Sequence, residues 1–220
     1  MTNYQKEFER IVAALPAGKA RPRLLLHSCC APCSSAVLEV LCQSFDVTID
    51  FYNPNIAPRS EYDHRLAELR RLAAEMPLPS PVAFCADVPY EPQRFAEISR
   101  GLENCPEGGE RCFACYRLRL ADAARRAADG GFDWFTTTLT ISPLKNAAKL
   151  NEIGAALGAA VGVPFLPSDF KKKDGYKRSI ALSREYGLYR QDYCGCIFSK
   201  KAREEQKARA ADAAQDVGAR

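Results

Sequence analysis

Residues 23–53 read "RLLLHSCCAPCSSAVLEVLCQSFDVTIDFYN". "RLLLHS" (23–28) has the apolar run of a buried strand. "CSSAVLEVLCQSF" (33–45) follows with helical periodicity and serines near its start. "DVTIDFYN" (46–53) returns to strand composition before "NPNIAP" (53–58), whose prolines cannot continue a ladder. Strand, helix and strand in this order form a parallel crossover unit, and so predict an α/β fold. Three thiols, Cys29, Cys30 and Cys33, fall where the first strand ends and the helix begins. Open α/β sheets bind ligands at that end of their strands, and free N–H groups at a helix start favour anions and thiolates.

The alternation continues outward from this unit. "SEYDHRLAELRRLAAEM" (60–76) predicts a helix capped by Ser60, and "PVAFCADV" (81–88) a third strand. Residues 90–131 interrupt the pattern as a helical insertion. "FDWFTTTL" (132–139) resumes as a strand, "SPLKNAAKLNEIGAAL" (142–157) as a helix with Pro143 near its first turn, and "AVGVPFLP" (160–167) closes the sheet. The expected architecture is an open, mostly parallel sheet with flanking helices, in one domain over residues 1–198. A charged tail follows over 199–220. Tyr4, Phe8, Ile11 and Val12 lie at helical spacing and predict a short amphipathic helix at the start of the domain.

The chain has 220 residues and a formal charge of +4, which admits a nucleic-acid partner without requiring one. No stretch is long and apolar enough to span a bilayer. The first twenty residues mix acids among apolar positions and lack a signal-peptide profile, so a cytoplasmic protein with no membrane partner is expected. In a reducing compartment, ten cysteines point to metal or catalysis rather than to a disulfide scaffold.

Cys112 and Cys115 form the pair "CFAC", a spacing that brings two thiolates to one metal centre from a single turn. Cys29 and Cys30 supply a second thiol-rich loop, so a metal site shared between the two is expected. Adjacent cysteines sit awkwardly on one small tetrahedral ion, and the larger iron–sulfur cubane tolerates varied spacings. Cys33, one turn on, reads either as a thiol packed against the sheet or as a ligand at the edge of the site. Cys194 and Cys196, in "YCGC", suit a strained, reducible disulfide or a further metal-binding pair. Cys42 and Cys85 read as small core residues, and no spacing rule favours Cys105. His27 reads first as a hydrogen-bonded core residue and His64 as a surface one. "DFKKKDGYKRS" (169–179) sets Lys171, Lys172, Lys173, Lys177 and Arg178 around Tyr176. Arg190 follows among further tyrosines, a composition suited to an RNA surface.

Together, "CCAPCS" (29–34), "FYNPNIAPRSEYDHRL" (51–66), "PEGGERCFACYRLRL" (106–120), "TTTLTISPLKN" (136–146), "DFKKKDGYKRS" and "YRQDYCGC" (189–196) resemble the cobalamin-independent epoxyqueuosine reductases, from about Leu24 to Cys196. The resemblance implies a fold related to the nucleotide-binding HUP or PP-loop type. It also implies reductive removal of the epoxide oxygen of epoxyqueuosine at the wobble position of tRNA, giving queuosine. By matching motifs, Cys29, Cys30, Cys112 and Cys115 would hold a [4Fe-4S] cluster, and Cys194 and Cys196 would form a redox-active disulfide. Cys33 is the candidate ligand of an additional iron, and an unidentified electron donor is a further partner. In place of the "SGGxDS"-type phosphate loop of ATP-using relatives stands "HSCCAPCS", whose thiols replace glycines that let a backbone approach phosphate. ATP use is therefore not expected. The rival expectations are a zinc-stabilised tRNA- or protein-binding module and an ATP-dependent tRNA thiolation enzyme.

Overall fold

The computed structural model describes residues 2–16 and 20–218, with side chains as far as position 211. Helix α1 (Tyr4–Ala13) leads into strand β1 (Arg23–His27), helix α2 (Ala31–Leu41) and strand β2 (Asp46–Asp50). Helix α3 (Arg59–Glu75) and the two-residue strand β3 (Ala83–Phe84) come next. The insertion consists of α4 (Pro92–Ser99) and α5 (Glu110–Asp129). Strand β4 (Trp134–Thr137), α6 (Ala147–Val161), α7 (Gly175–Glu185) and α8 (Ile197–Gly218) complete the order.

All four strands are parallel, in the order β3–β2–β1–β4. The expected α/β sheet with a helical insertion is thus present. Leu24, Leu25 and Leu26 of β1 are fully buried because this central strand is covered on both faces. Alternation sends Leu24 and Leu26 into a core with α2, α3 and α7, while Leu25 packs with Leu120, Ala123 and Ala124 of α5 and Leu150 of α6. Since β1 pairs with β2 on one side and β4 on the other, the winding direction reverses at β1. The crevice between the carboxyl ends of β1 and β4 is the topological switch point, where sheets of this kind place their ligands.

Four local expectations shift. "AVGVPFLP" contributes a single bridge, Phe135 with Phe165, instead of a strand, since Pro164 has no N–H to donate. Pro143 lies in a turn, and α6 starts later, where the Asn146 side chain accepts the Lys149 N–H. Ser60 lies inside the first turn of α3, whose cap position is Pro58. The end of the charged segment continues as α8 directly after Cys196. No helix among the described residues is long and apolar enough to cross a membrane.

Asp50 ends β2 fully buried, and neither carboxylate oxygen has a partner of good hydrogen-bond geometry among the described residues, the Tyr52 backbone N–H acting on it only weakly. Arg126 Nε stands 3.8 Å away. Burial, aided by the nearby Asp122 carboxylate, raises the Asp50 pKa to about 7. A folded-state pKa above the unfolded one means the acid form stabilises the fold. That contribution is complete below about pH 4 and is lost as pH rises through 7. Asp50→Asn should therefore gain stability over the parent protein between pH 5 and pH 8, on the order of 2–4 kcal/mol. Melting curves at both pH values check this, and a pH-independent gap between the two proteins would refute it.

Candidate metal and redox centre

Three groups of thiols sit at three helix starts. Cys30 is the residue at which α2 begins, and it adopts an extended backbone with no side-chain cap. Its sulfur lies 3.8 Å from that of Cys29. The sulfurs of Cys29, Cys30 and Cys33 all lie within 4.8 Å of one another, so this trio could hold a metal ion. Cys112 and Cys115 occupy the first two turns of α5, which also lacks a side-chain cap, and the Gly108 N–H donates to Cys112 Sγ at 3.2 Å. Cys196 precedes α8, and its sulfur accepts the Ser199 N–H at 3.4 Å. Cys194 Sγ is 3.6 Å from Cys196 Sγ, and both contact the Ser199 hydroxyl. All ten cysteines are free thiols.

A cavity of about 370 Å³ opens over the switch point, lined by Cys29, Cys30, Cys33 and Cys194 among others. A smaller cavity beside it is lined by Cys112, Cys115, Cys194 and Cys196. Cys194, Glu107, Arg119, Leu144 and Lys145 line both. Cys29, Cys30 and Cys33 therefore form one compact group, and Cys112 and Cys115 lie across this shared wall, outside it.

The protonation pattern follows from proximity. Hydrogen bonds from Cys30 and Cys33 hold the Cys29 thiol pKa well below its usual value. In return the Cys29 thiolate pushes Cys30 up to about 12 and Cys33 upward as well. A hydrogen bond from Cys196 likewise lowers Cys194, with Lys145 and Ser199 assisting, while Cys196 rises. Burial raises Cys115 to about 11 and also raises Cys112. Burial works against the Lys145 ammonium, but the charges of Cys29, Cys33 and Cys194 outweigh it and hold the lysine protonated.

The crevice floor is fastened by polar side chains. His27 Nδ1 lies 2.8 Å from Thr137 Oγ1. Arg119 Nε donates to His27 Nε2 at 3.3 Å, and its Nη2 donates to Asn53 Oδ1. His27 Nε2 lies 3.3 Å from both Arg119 Nε, which can only donate, and the Tyr52 carbonyl oxygen, which can only accept, so its two neighbours call for opposite tautomers. Burial, with the Arg119 charge, lowers the His27 pKa to about 3 and keeps the ring neutral. Consecutive threonines then divide the work: Thr136 Oγ1 donates to Leu166 O at 2.8 Å, Thr137 meets His27, and Thr138 Oγ1 accepts the Cys29 N–H at 3.4 Å.

The basic segment divides in two. Tyr176 and Arg190 line the main cavity. Lys171 pairs with Asp169, Lys173 with Glu9, and Arg178 with Glu39, while Lys172 and Lys177 are exposed. His64 is exposed and packs its ring against Tyr189. Sequence reading missed four residues of the centre: Arg65, Glu107, Arg119 and Lys145. A faint signal existed for Arg119, which stands four residues after Cys115 and therefore on its helix face. Arg65 is written in sequence as one more charge on a helix rich in charges.

The model of a protein family described as "Epoxyqueuosine reductase QueH" matches residues 24–202. Curated proteins of that name are similar over most of the chain. The Staphylococcus epidermidis protein is 42% identical over 200 residues, covering 90% of this chain and 84% of the relative. The Streptococcus pyogenes protein is 40% identical over 201 residues, covering 90% and 78%. The Staphylococcus aureus protein is 40% identical over 200 residues, covering 90% and 83%.

Between the two C-terminal thiols, Gly195 has φ +110°, and a Cβ there would stand 3.0 Å from both Arg65 Nη1 and Ile56 Cγ1. Any side chain is strained in that backbone region and crowded as well. Gly195→Ala should cost about 1–3 kcal/mol, lowering the melting temperature by about 2–4 °C for each kcal/mol. An unchanged melting temperature would show that the loop tolerates a Cβ.

Proposed function

The chain belongs to the epoxyqueuosine reductase QueH family, and we propose that it carries out that reductive step with the thiols gathered at its switch point. It is an oxidoreductase of queuosine biosynthesis that converts epoxyqueuosine in tRNA to queuosine, and we place it in the cytoplasm. The reaction takes two electrons and two protons, and the epoxide oxygen leaves as water.

Cys29, Cys30, Cys112 and Cys115 are the proposed ligands of a [4Fe-4S] cluster, and Cys33 the proposed ligand of an additional iron. The residues present fit such groups. Cys29, Cys30, Cys33, Cys112 and Cys115 offer five thiols around two adjoining cavities, one for each iron of a cubane and one more; the Cys29 and Cys30 sulfurs, 3.8 Å apart, would spread to bind separate irons. Thiolate-bound clusters are anionic, and Arg65, Arg119 and Lys145 supply buried or half-buried cations around the cavity. Arg65 Nη2 also has no partner among the described residues. When bound, these groups supply electrons singly and a Lewis acid for the departing oxygen.

The remaining work falls to the chain's own side chains. Oxidation of the Cys194–Cys196 dithiol to a disulfide releases two electrons and two protons, the requirement of one turnover, and an external electron donor resets the pair. Lys145 favours the Cys194 thiolate by its charge. The main cavity has the volume of a small-ligand site, and so suits an unstacked modified base. Tyr176 and Tyr193 offer faces for stacking, and Arg190 a cation for the tRNA backbone. Lys172 and Lys177 are the proposed extension of this basic surface, which Lys171, Lys173 and Arg178 would join by leaving Asp169, Glu9 and Glu39.

The observation that carries this reading is the meeting of Cys29, Cys30, Cys33 and Cys194 in one cavity at the end of β1. Anaerobically purified protein should be brown and contain iron and sulfide; a colourless zinc protein would favour a structural module instead. Cys112→Ser should lose both colour and turnover. Cys194→Ser should keep its colour but fail in multiple turnover, and a normal steady-state rate in that variant would remove the relay role. In a strain lacking the protein, nucleoside analysis of tRNA should show epoxyqueuosine accumulating and queuosine absent.

A further inference from the structure

Arg65 is held at three of its four functional points. Its side chain is 2% exposed. Nε donates to Glu61 Oε1 at 2.7 Å, and Nη1 donates to the Cys194 carbonyl at 3.2 Å. The guanidinium lies 5.2 Å from the centre of the Tyr193 ring. The fourth point, Nη2, is buried and has no hydrogen-bond partner among the described residues. A buried charged donor left without an acceptor is costly, so the working state of the site must offer it one. Arg65 lines the main cavity with Cys29 and Cys30, whose charges act on it.

We infer that Arg65 is a positioning residue: its Nη2–H donates to anionic sulfur held at Cys29 and Cys30, while Nη1 fixes the Cys194 carbonyl. One guanidinium thereby ties the dithiol loop to the electron-transfer group and sets the potential of that group. A fixed positive charge and an N–H···S bond both favour the more reduced, more negative state. The inference rests on the proposal that Cys29 and Cys30 hold an iron–sulfur cluster. It goes beyond that proposal in naming a residue that binds no iron and still governs how easily the cluster is reduced.

The test is an anaerobic redox titration followed by electron paramagnetic resonance, on the full chain with its cluster. Arg65→Gln should lower the midpoint potential. At the wild-type midpoint its ratio of reduced to oxidised cluster should fall about tenfold, the effect of one charge-assisted hydrogen bond. Arg65→Lys keeps the charge but lacks the planar fork, and should show a smaller drop. Glu61→Gln can still accept from Nε while removing a negative charge, and should shift the potential upward. Equal potentials for wild type and Arg65→Gln, at equal iron content, would overturn the inference and leave the cluster assignment standing. If Arg65→Gln holds no cluster, Glu61→Gln decides alone: an unchanged or lowered potential there rejects the inference. Wild-type protein without iron and sulfide would remove the cluster proposal and this inference with it.

Discussion

Negative charge on sulfur, gathered out of water, is the condition the rest of this structure must satisfy. An isolated buried anion is costly, and a protein lowers that cost with fixed dipoles and paired cations. Both are present. Helices α2, α5 and α8 begin at the three thiol groups, so the positive ends of their dipoles meet the sulfurs. Arg65, Arg119 and Lys145 come from α3, α5 and the turn after β4, and all line the main cavity. No single segment could bring these together; the reversal of winding at β1 does.

This arrangement explains why the insertion matters. Without α5, the face of β1 that carries Leu25 would lose Leu120, Ala123 and Ala124. The same helix carries Cys112 and Cys115 near its start and Arg119 one turn later, where it reaches His27 and Asn53. Packing and chemistry are thus set by one rigid element, which holds a site more accurately than a loop does.

Much of this was legible in the sequence, and the remainder failed for identifiable reasons. Strong local patterns carried the sheet: three consecutive leucines before the thiols, and a helix of suitable length between two strands. The thiol loops were visible because cysteine pairs have few other uses in such a chain. Weak edges misled. Val163 to Leu166 has strand composition, yet Pro164 and the αL residue Gly162 limit it to one bridge. Asn146, rather than Pro143, starts α6 because a side-chain cap satisfies an N–H and a proline only avoids needing one. The cations of the site stayed hidden because burial of an arginine depends on partners 66 to 129 residues away, such as Asn53 for Arg119 and Cys194 for Arg65.

The His27–Thr137 bond has a mechanical corollary. It bridges β1 and β4 where a wider gap would otherwise be easiest to open, and a neutral ring cannot be ejected by charge repulsion. The base of the crevice therefore behaves as a fixed anvil. The rim, formed by Ser142 to Lys145 and Arg190 to Tyr193, lies outside this bridged base.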